Sequence, residues 1–359
     1  MLVSFACVKT IERVYIYINN LGVSSRRRRF LFKNKKIEMA DPETLYELNG
    51  ELGVGTYGRV FSGRSKATGE TVAIKIIAFG EDIQPLKREV DIMKECKNEF
   101  VVRYLGSYEK ESTLWIAMEL CEPGSIADVM RMTKTTLTES QIRVVCASVL
   151  LALVYFHGRK YIHRDIKAGN ILLTRTGIAK IADFGVSAQL TTIHSMRDTA
   201  IGAPFWMAPE VIKEEQYNGK ADIWSLGISV IEMAEGKPPH HEIHPMRAIF
   251  MIPSRDPPTL QTPNKWSADM IDFLSKCLVK DPTKRMSADE LLVHPFVKIE
   301  VEKLKVNGGK SPILMDLVNT CLPLMEDFRA GQVSNHGDDT MVQGTLMATM
   351  SQTSIDGTG

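Results

Sequence analysis

The order of apolar and polar positions splits the chain into a strand-patterned part and a helix-patterned part. Residues 46–77 predict strands: Val60-Phe61 lead into a turn at Ala67-Thr68-Gly69-Glu70, and Thr71 to Ile77 follow, rich in Val and Ile. Residues 85–95 carry Leu86, Val90 and Met93 on one helical stripe, and Pro85 suits a first turn. After about residue 120 helical periods dominate. Residues 139–157 place Ile142, Val145, Cys146, Val149, Leu150, Leu153 and Val154 at helical spacing, with Gly158 as the stop. Residues 221–234 are apolar nearly all round, which predicts a helix buried in the centre. Beyond Val297 the pattern weakens to a short amphipathic piece (Ile313, Leu314, Leu317, Val318, Cys321), and from about residue 329 to a Gly/Ser/Thr/Asp tail lacking the apolar mass to fold alone. The expected fold class is α+β: a strand-rich lobe at about 46–120, a helical lobe at about 121–297, and a segment 298–359 outside the core.

Composition narrows the function classes. The 359 residues carry 44 Lys+Arg against 43 Asp+Glu, a net charge of +1, which argues against a protein-wide attraction to nucleic acid or a membrane. No run reaches the roughly 18 apolar residues of a membrane span, the longest stretch being the 13 residues from Val144 to Phe156, with Ser148 inside it. The six cysteines are scattered and form no CxxC pair, which excludes a dense disulfide framework and a CxxC zinc site and points to a reducing compartment, hence the cytoplasm. Residues 1–38 stand apart, with nine Lys/Arg against two acids and seven bases between Arg26 and Lys36. That run reads either as a nuclear-localisation or nucleic-acid patch, or as a solvated, disordered extension 1–45, with Met39 as an alternative start. Nucleic acid is the less favoured partner, and the nucleus a second location.

The chemistry begins at Leu52-Gly53-Val54-Gly55-Thr56-Tyr57-Gly58-Arg59-Val60, a glycine-rich loop that lets backbone amides approach phosphate oxygens. In a dinucleotide fold such a loop opens a helix, whereas strand sequence follows here. A Walker loop fails too, because Leu304 occupies the glycine position that Gly309-Lys310-Ser311 would require. In Val72-Ala73-Ile74-Lys75-Ile76-Ile77, Ala73, Lys75 and Ile77 share one strand face. A lysine in a core strand needs a counter-charge. Glu89 borders the inward stripe of the next helix and is the candidate, the alternative being two unrelated surface charges.

His163-Arg164-Asp165-Ile166-Lys167-Ala168-Gly169-Asn170 comes next, Asp183-Phe184-Gly185 follows thirteen residues after Asn170, and Ala208-Pro209-Glu210 closes a segment of 28 residues from Asp183. In this order, behind the glycine loop and strand lysine, these motifs resemble the signature set of eukaryotic protein kinases over about 46–297. The resemblance implies a bilobal kinase fold and phosphoryl transfer from ATP with Mg²⁺ to protein hydroxyls. It implies that Asp165 orients the acceptor hydroxyl and takes its proton, that Lys167 faces the γ-phosphate and marks serine/threonine specificity, and that Lys75, oriented by Glu89, holds the α/β-phosphates. Asn170 and Asp183 become the metal ligands, which suits the preference of hard cations for oxygen. Leu52, Val54, Val60, Ala73, Met118 as gatekeeper, Glu119 to Cys121 as hinge and Leu172 as floor would line the adenine pocket. Ordinary core packing explains these apolar positions equally well. Glu210 would pair with Arg285, and Asp222 would brace the catalytic loop.

Asp165 to Leu173 and Pro204 to Glu210 resemble the sterile-twenty-like group, and Asp222 to Gly227, Glu232 to Pro239 and His244 to Pro253 resemble its Hippo branch. That likeness implies an activating phosphorylation at Thr199, in Arg197-Asp198-Thr199-Ala200-Ile201-Gly202, and protein substrates that are downstream kinases. Asp339-Thr340-Met341 and Ala348-Thr349-Met350 resemble linker sites that dock Mob-type adaptors once phosphorylated, and read equally as low-complexity sequence. No sustained heptads follow Val297, so the family's C-terminal coiled coil is not expected here. Ala203 departs from the family, which has threonine bonding the catalytic Asp at this position. Losing a hydrogen bond to a charged group predicts a rate roughly 10- to 150-fold lower, a weak kinase. The alternative is a pseudokinase scaffold.

Overall fold

The computed structural model describes residues 40–55, 58–80, 83–182 and 204–334. Five antiparallel strands, in the order β1-β2-β3-β5-β4, make the first lobe: β1 (Tyr46–Gly55), β2 (Gly58–Ser65), β3 (Thr71–Ala78), β4 (Tyr104–Lys110) and β5 (Thr113–Glu119). The central strand β3 buries Val72, Ala73, Ile74 and Lys75 in succession, so both of its faces are covered. On one face Val72, Ile74, Tyr108 and Trp115 pack under Ala40, Leu45, Tyr46 and Leu48. A single helical turn, α1 (Pro42–Leu45), begins this cover, with Asp41 capping it and Lys110 held by Asp41 at 3.3 Å and Glu43 at 2.6 Å. This cover starts a few residues ahead of the expected boundary at 46. Helix α2 (Gln84–Glu95) buries Val90 and Met93 and leaves Leu86 half-buried.

The second lobe is built on α3 (Ile126–Thr133) and α4 (Glu139–Gly158), then α5 (Pro209–Ile212), α6 (Lys220–Glu235), α7 (Pro245–Ser254), α8 (Ala268–Cys277) and α9 (Ala288–Leu292). A small sheet is made of β6 (Gly124–Ser125), β7 (Ile171–Leu173), which follows directly on the His163–Asn170 segment, and β8 (Ala179–Ile181). Capping boxes at Ser125/Asp128 and Thr138/Gln141 satisfy the first amides of α3 and α4. Helix α4 is long and apolar enough to cross a membrane, but most of that window is buried inside the protein, as in a core helix. In α6 every residue from Ala221 to Ala234 is buried, the central helix that the pattern predicts.

The sequence beyond Val297 orders further than its pattern suggests. Helix α10 (Lys298–Val306) buries Val301 and Leu304, and α11 (Pro312–Ser334) buries Leu314, Val318 and Cys321 along one narrow stripe. Ser311 N donates to Gly177 O at 3.2 Å, tying this extension to the β7–β8 turn. A narrow stripe laid on an existing lobe leaves most positions polar, so its periodicity is faint.

Candidate active site

The catalytic loop runs from the end of α4 to β7 and is held by side chains of α6. Asp222, fully buried, accepts from His163 N at 2.9 Å, from Arg164 N at 2.7 Å, and bonds His157 Nε2 at 2.8 Å. These bonds hold Arg164 at a φ of 72°, a conformation that non-glycine residues adopt at a cost of about 1–2 kcal/mol. Farther along, Ser229 Oγ donates to Ile166 O at 3.4 Å. One oxygen of Glu232 accepts both Ala168 N at 2.9 Å and Trp206 Nε1 at 2.8 Å. Burial pushes the Glu232 carboxyl up to about 7, against the pull of its two N–H donors and of Lys167. His163 Nε2 donates to Ala182 O at 3.0 Å, which joins the loop to the end of β8.

Inside this frame Asp165 is clasped from two sides. Lys167 Nζ lies 3.0 and 2.9 Å from its carboxylate oxygens, and Asn170 Nδ2 donates to Asp165 Oδ2 and to its backbone O, both at 2.7 Å. With its nitrogen so engaged, Asn170 is left its side-chain oxygen for a cation. A buried pair fixes α5: Arg285 donates to both oxygens of Glu210 at 2.7 and 3.0 Å, its remaining donors meeting backbone carbonyls of Val279, Lys220 and Lys280.

The sheet supplies the other wall. Val60, Lys75 and Ile116 stand in one cross-strand row, and Ser62, Ala73 and Met118 in the next but one, so Val60, Ala73, Lys75 and Met118 share a face. Lys75 is 4% exposed and Met118 7%. Glu89 is half-buried on α2. Cys121 is buried, and burial raises its thiol to about 12, so it stays protonated. Leu172 is half-buried in β7 opposite Lys180. Gly58, at a φ of 150°, leaves no room for a side chain, since a Cβ there would collide with Ile76 O. Leu52 and Gly53 are half-buried in β1, and Gly55 pairs with Gly58 across the hairpin.

One expected pocket residue is misplaced. Val54 pairs with Arg59, not with Val60, so its side chain leaves from the opposite face and is 47% exposed. The physical reason is the two-residue strand period: with Val60 on the face of Ala73, Lys75 and Met118, its ladder partner Gly53 shares that face and Val54 cannot. Thr56, Tyr57, Asp183, Thr199, Ala203, Thr340 and Thr349 lie outside the described residues. Among the described residues no three His, Cys, Asp or Glu side chains converge as a metal cluster.

Sequence reasoning missed the supports of the loop beyond Asp222. Asp222, Ser225, Ser229 and Glu232 recur at spacings of three, four and three on a helix otherwise apolar, which puts them on one face. All four are buried, and all four bond to the catalytic loop or the Pro204–Trp206 turn, Ser225 through Trp206 O at 2.8 Å. A polar stripe on a central helix was the available signal. His157 had none, because its meaning depends on the distant Asp222.

Comparison with known proteins gives two findings. Residues 46–297 match the family described as protein kinase domain. The chain is also 52% identical over 305 residues to the serine/threonine-protein kinase hippo of Drosophila melanogaster, covering 84% of this chain and 44% of that protein, so it spans less than half the relative's length.

Proposed function

The chain belongs to the protein kinase family, and from that premise we propose that it transfers the γ-phosphoryl group of ATP to serine or threonine hydroxyls of proteins in a Hippo-like signalling cascade. The observation that carries this reading is the clasp of Asp165 between Lys167 and Asn170 on a loop bonded to Asp222. Asp165 aligns the acceptor hydroxyl and takes its proton, while Lys167 neutralises charge on the phosphoryl group in flight. Lys75, oriented by Glu89, draws the α/β-phosphates toward the sheet, and the Gly58 backbone closes over them. The residues fit a nucleotide with a hard divalent cation. Asn170 Oδ1 and Asp183 would hold it, with Mg²⁺ as the ion, which supplies charge neutralisation along the phosphates when bound. The complete set of phosphate, base and metal-binding positions favours an enzyme over a pseudokinase scaffold.

In this reading Thr199 is the activating phosphosite, with Arg164 as its charge partner. Downstream kinases are the substrates, phosphorylated Thr340 or Thr349 recruits a Mob-type adaptor, and the protein works in the cytoplasm with access to the nucleus. The test is a kinase assay on a generic protein substrate, with phosphosite mapping of the enzyme. We expect serine/threonine phosphorylation, phosphate on Thr199, and loss of turnover by about 10²-fold or more in Lys75→Met. Restoring threonine at position 203 by Ala203→Thr should raise turnover about tenfold. Equal turnover by the parent and Lys75→Met overturns the assignment.

A further inference from the structure

An ion pair that the phosphoryl-transfer chemistry does not use joins the elements around the adenine wall. Lys180 Nζ in β8 meets Glu119 Oε1 at 2.7 Å, with only 11% and 17% of the two side chains exposed. Glu119 ends β5, where the chain passes from the sheet to the second lobe. The same oxygen accepts Arg103 N at 2.6 Å, and Glu119 N donates back to Arg103 O at 2.9 Å. The segment before Arg103 is laced to β8 as well, through Ile181 N to Phe100 O at 2.9 Å and Val102 N to Ile181 O at 3.0 Å. One carboxylate oxygen therefore ties together the end of β5, the approach to β4 and the strand β8. On β8, Lys180 stands directly opposite Leu172, the expected floor of the adenine pocket.

A mostly buried ion pair is a poor device for stability alone, because apolar residues of similar volume usually do as well or better. What a pair at hydrogen-bond distance adds is a fixed separation and orientation. Here the separation is that between the strand end expected to read adenine and the strand expected to floor it. We propose that the Lys180–Glu119 pair is a positioning device for the nucleotide, setting the width of the adenine slot between the end of β5 and Leu172. The inference rests on the kinase reading. The pair acts on binding, whereas the Asp165 clasp is made by Lys167 and Asn170 and is left as it is.

The test uses the full chain and three variants, Lys180→Met, Lys180→Gln and Lys180→Arg. It measures kcat and KM for ATP on a generic substrate, the Kd of trinitrophenyl-ATP, and the melting temperature of each protein. For Lys180→Met both KM and Kd should rise about tenfold while kcat changes less than about twofold. Lys180→Arg, which keeps the charge, should return both to within about twofold of the parent. Lys180→Gln keeps a donor without the charge and serves the same comparison should Lys180→Met fail to fold; it too should bind less tightly. Parental Kd in folded Lys180→Met or Lys180→Gln, with a lowered melting temperature only, makes the pair merely structural and overturns the proposal. A changed kcat with parental KM does so as well. A parent chain that binds no nucleotide overturns the kinase reading and this inference together, whereas a parent that binds beside an equally binding variant overturns this inference alone.

Discussion

The catalytic loop and the glycine-rich hairpin serve the same proposed reaction and are held by opposite means. Backbone amides of His163, Arg164 and Ala168 end on buried carboxylates of α6, and Asp165 is gripped by its own neighbours. The hairpin of β1 and β2 sits at the edge of the sheet, secured by its ladder and by an exposed Arg59–Glu51 pair. Surface pairs contribute little, about 0–1 kcal/mol. In the proposed reaction, low-dielectric anchors fix a group that must meet a proton at hydrogen-bond distance, while a weakly held edge would admit and release a nucleotide. The strongly held region is thus where single substitutions have the largest effects.

Removing the central anchor breaks this contrast most severely. Asp222→Ala leaves two backbone amides and His157 Nε2 without their shared buried partner, and should lower stability by about 3–5 kcal/mol and abolish turnover, as read by denaturant unfolding and kinase assay. A folded variant with parental activity would show that the loop holds itself.

Glu232 sharpens the contrast through pH. Its carboxyl is pushed up to about 7 from an ordinary 4.5, so the native state binds this proton more tightly than the unfolded chain. The stability it supports is therefore fully present below about pH 4.5 and is lost as pH climbs through about 7, a swing on the order of 3 kcal/mol. Glu232→Gln stays neutral throughout and should lack that swing. Unfolding both proteins at pH 5 and pH 8 should show the parent losing about 2–3 kcal/mol relative to the variant, and parallel curves would refute the assignment.

On the weakly held side, Gly58→Ala forces a Cβ toward Ile76 O at a φ of 150°. The expected loss is about 1–3 kcal/mol of stability together with a raised KM for ATP. The smallest effect belongs to Val54→Ala. Its outward side chain predicts a stability change within about 0.5 kcal/mol and an unchanged KM for ATP, whereas Val60→Ala should raise that KM. Equal effects on KM at the two positions would put Val54 back in the pocket.

Much of the candidate site is legible in the sequence. The order of Gly53 to Gly58, Lys75, His163 to Asn170 and Glu210 pointed to the proposed chemistry, because phosphoryl transfer needs residues that cradle phosphate, hold metal and orient the acceptor. The turn at 67–70 and the helices at 85–95, 139–157 and 221–234 follow from local periodicity, which depends only on neighbours in the chain. Val54 was misjudged because a loop motif says nothing about which face a strand residue leaves from until the ladder register is known.

The sequence by itself determined the fold class and the candidate residues for the proposed reaction, since period, turn chemistry and motif order are local or linear properties. Only the tertiary structure decided what holds those residues. His157 and Asp222 are 65 positions apart, Ala168 and Glu232 64, and Glu119 and Lys180 61. Contacts across such separations are fixed by how α6, β5 and β8 pack together, and that packing is settled by the burial of apolar residues over the whole chain. A buried carboxylate becomes an anchor for one loop rather than another only when the core around it has closed.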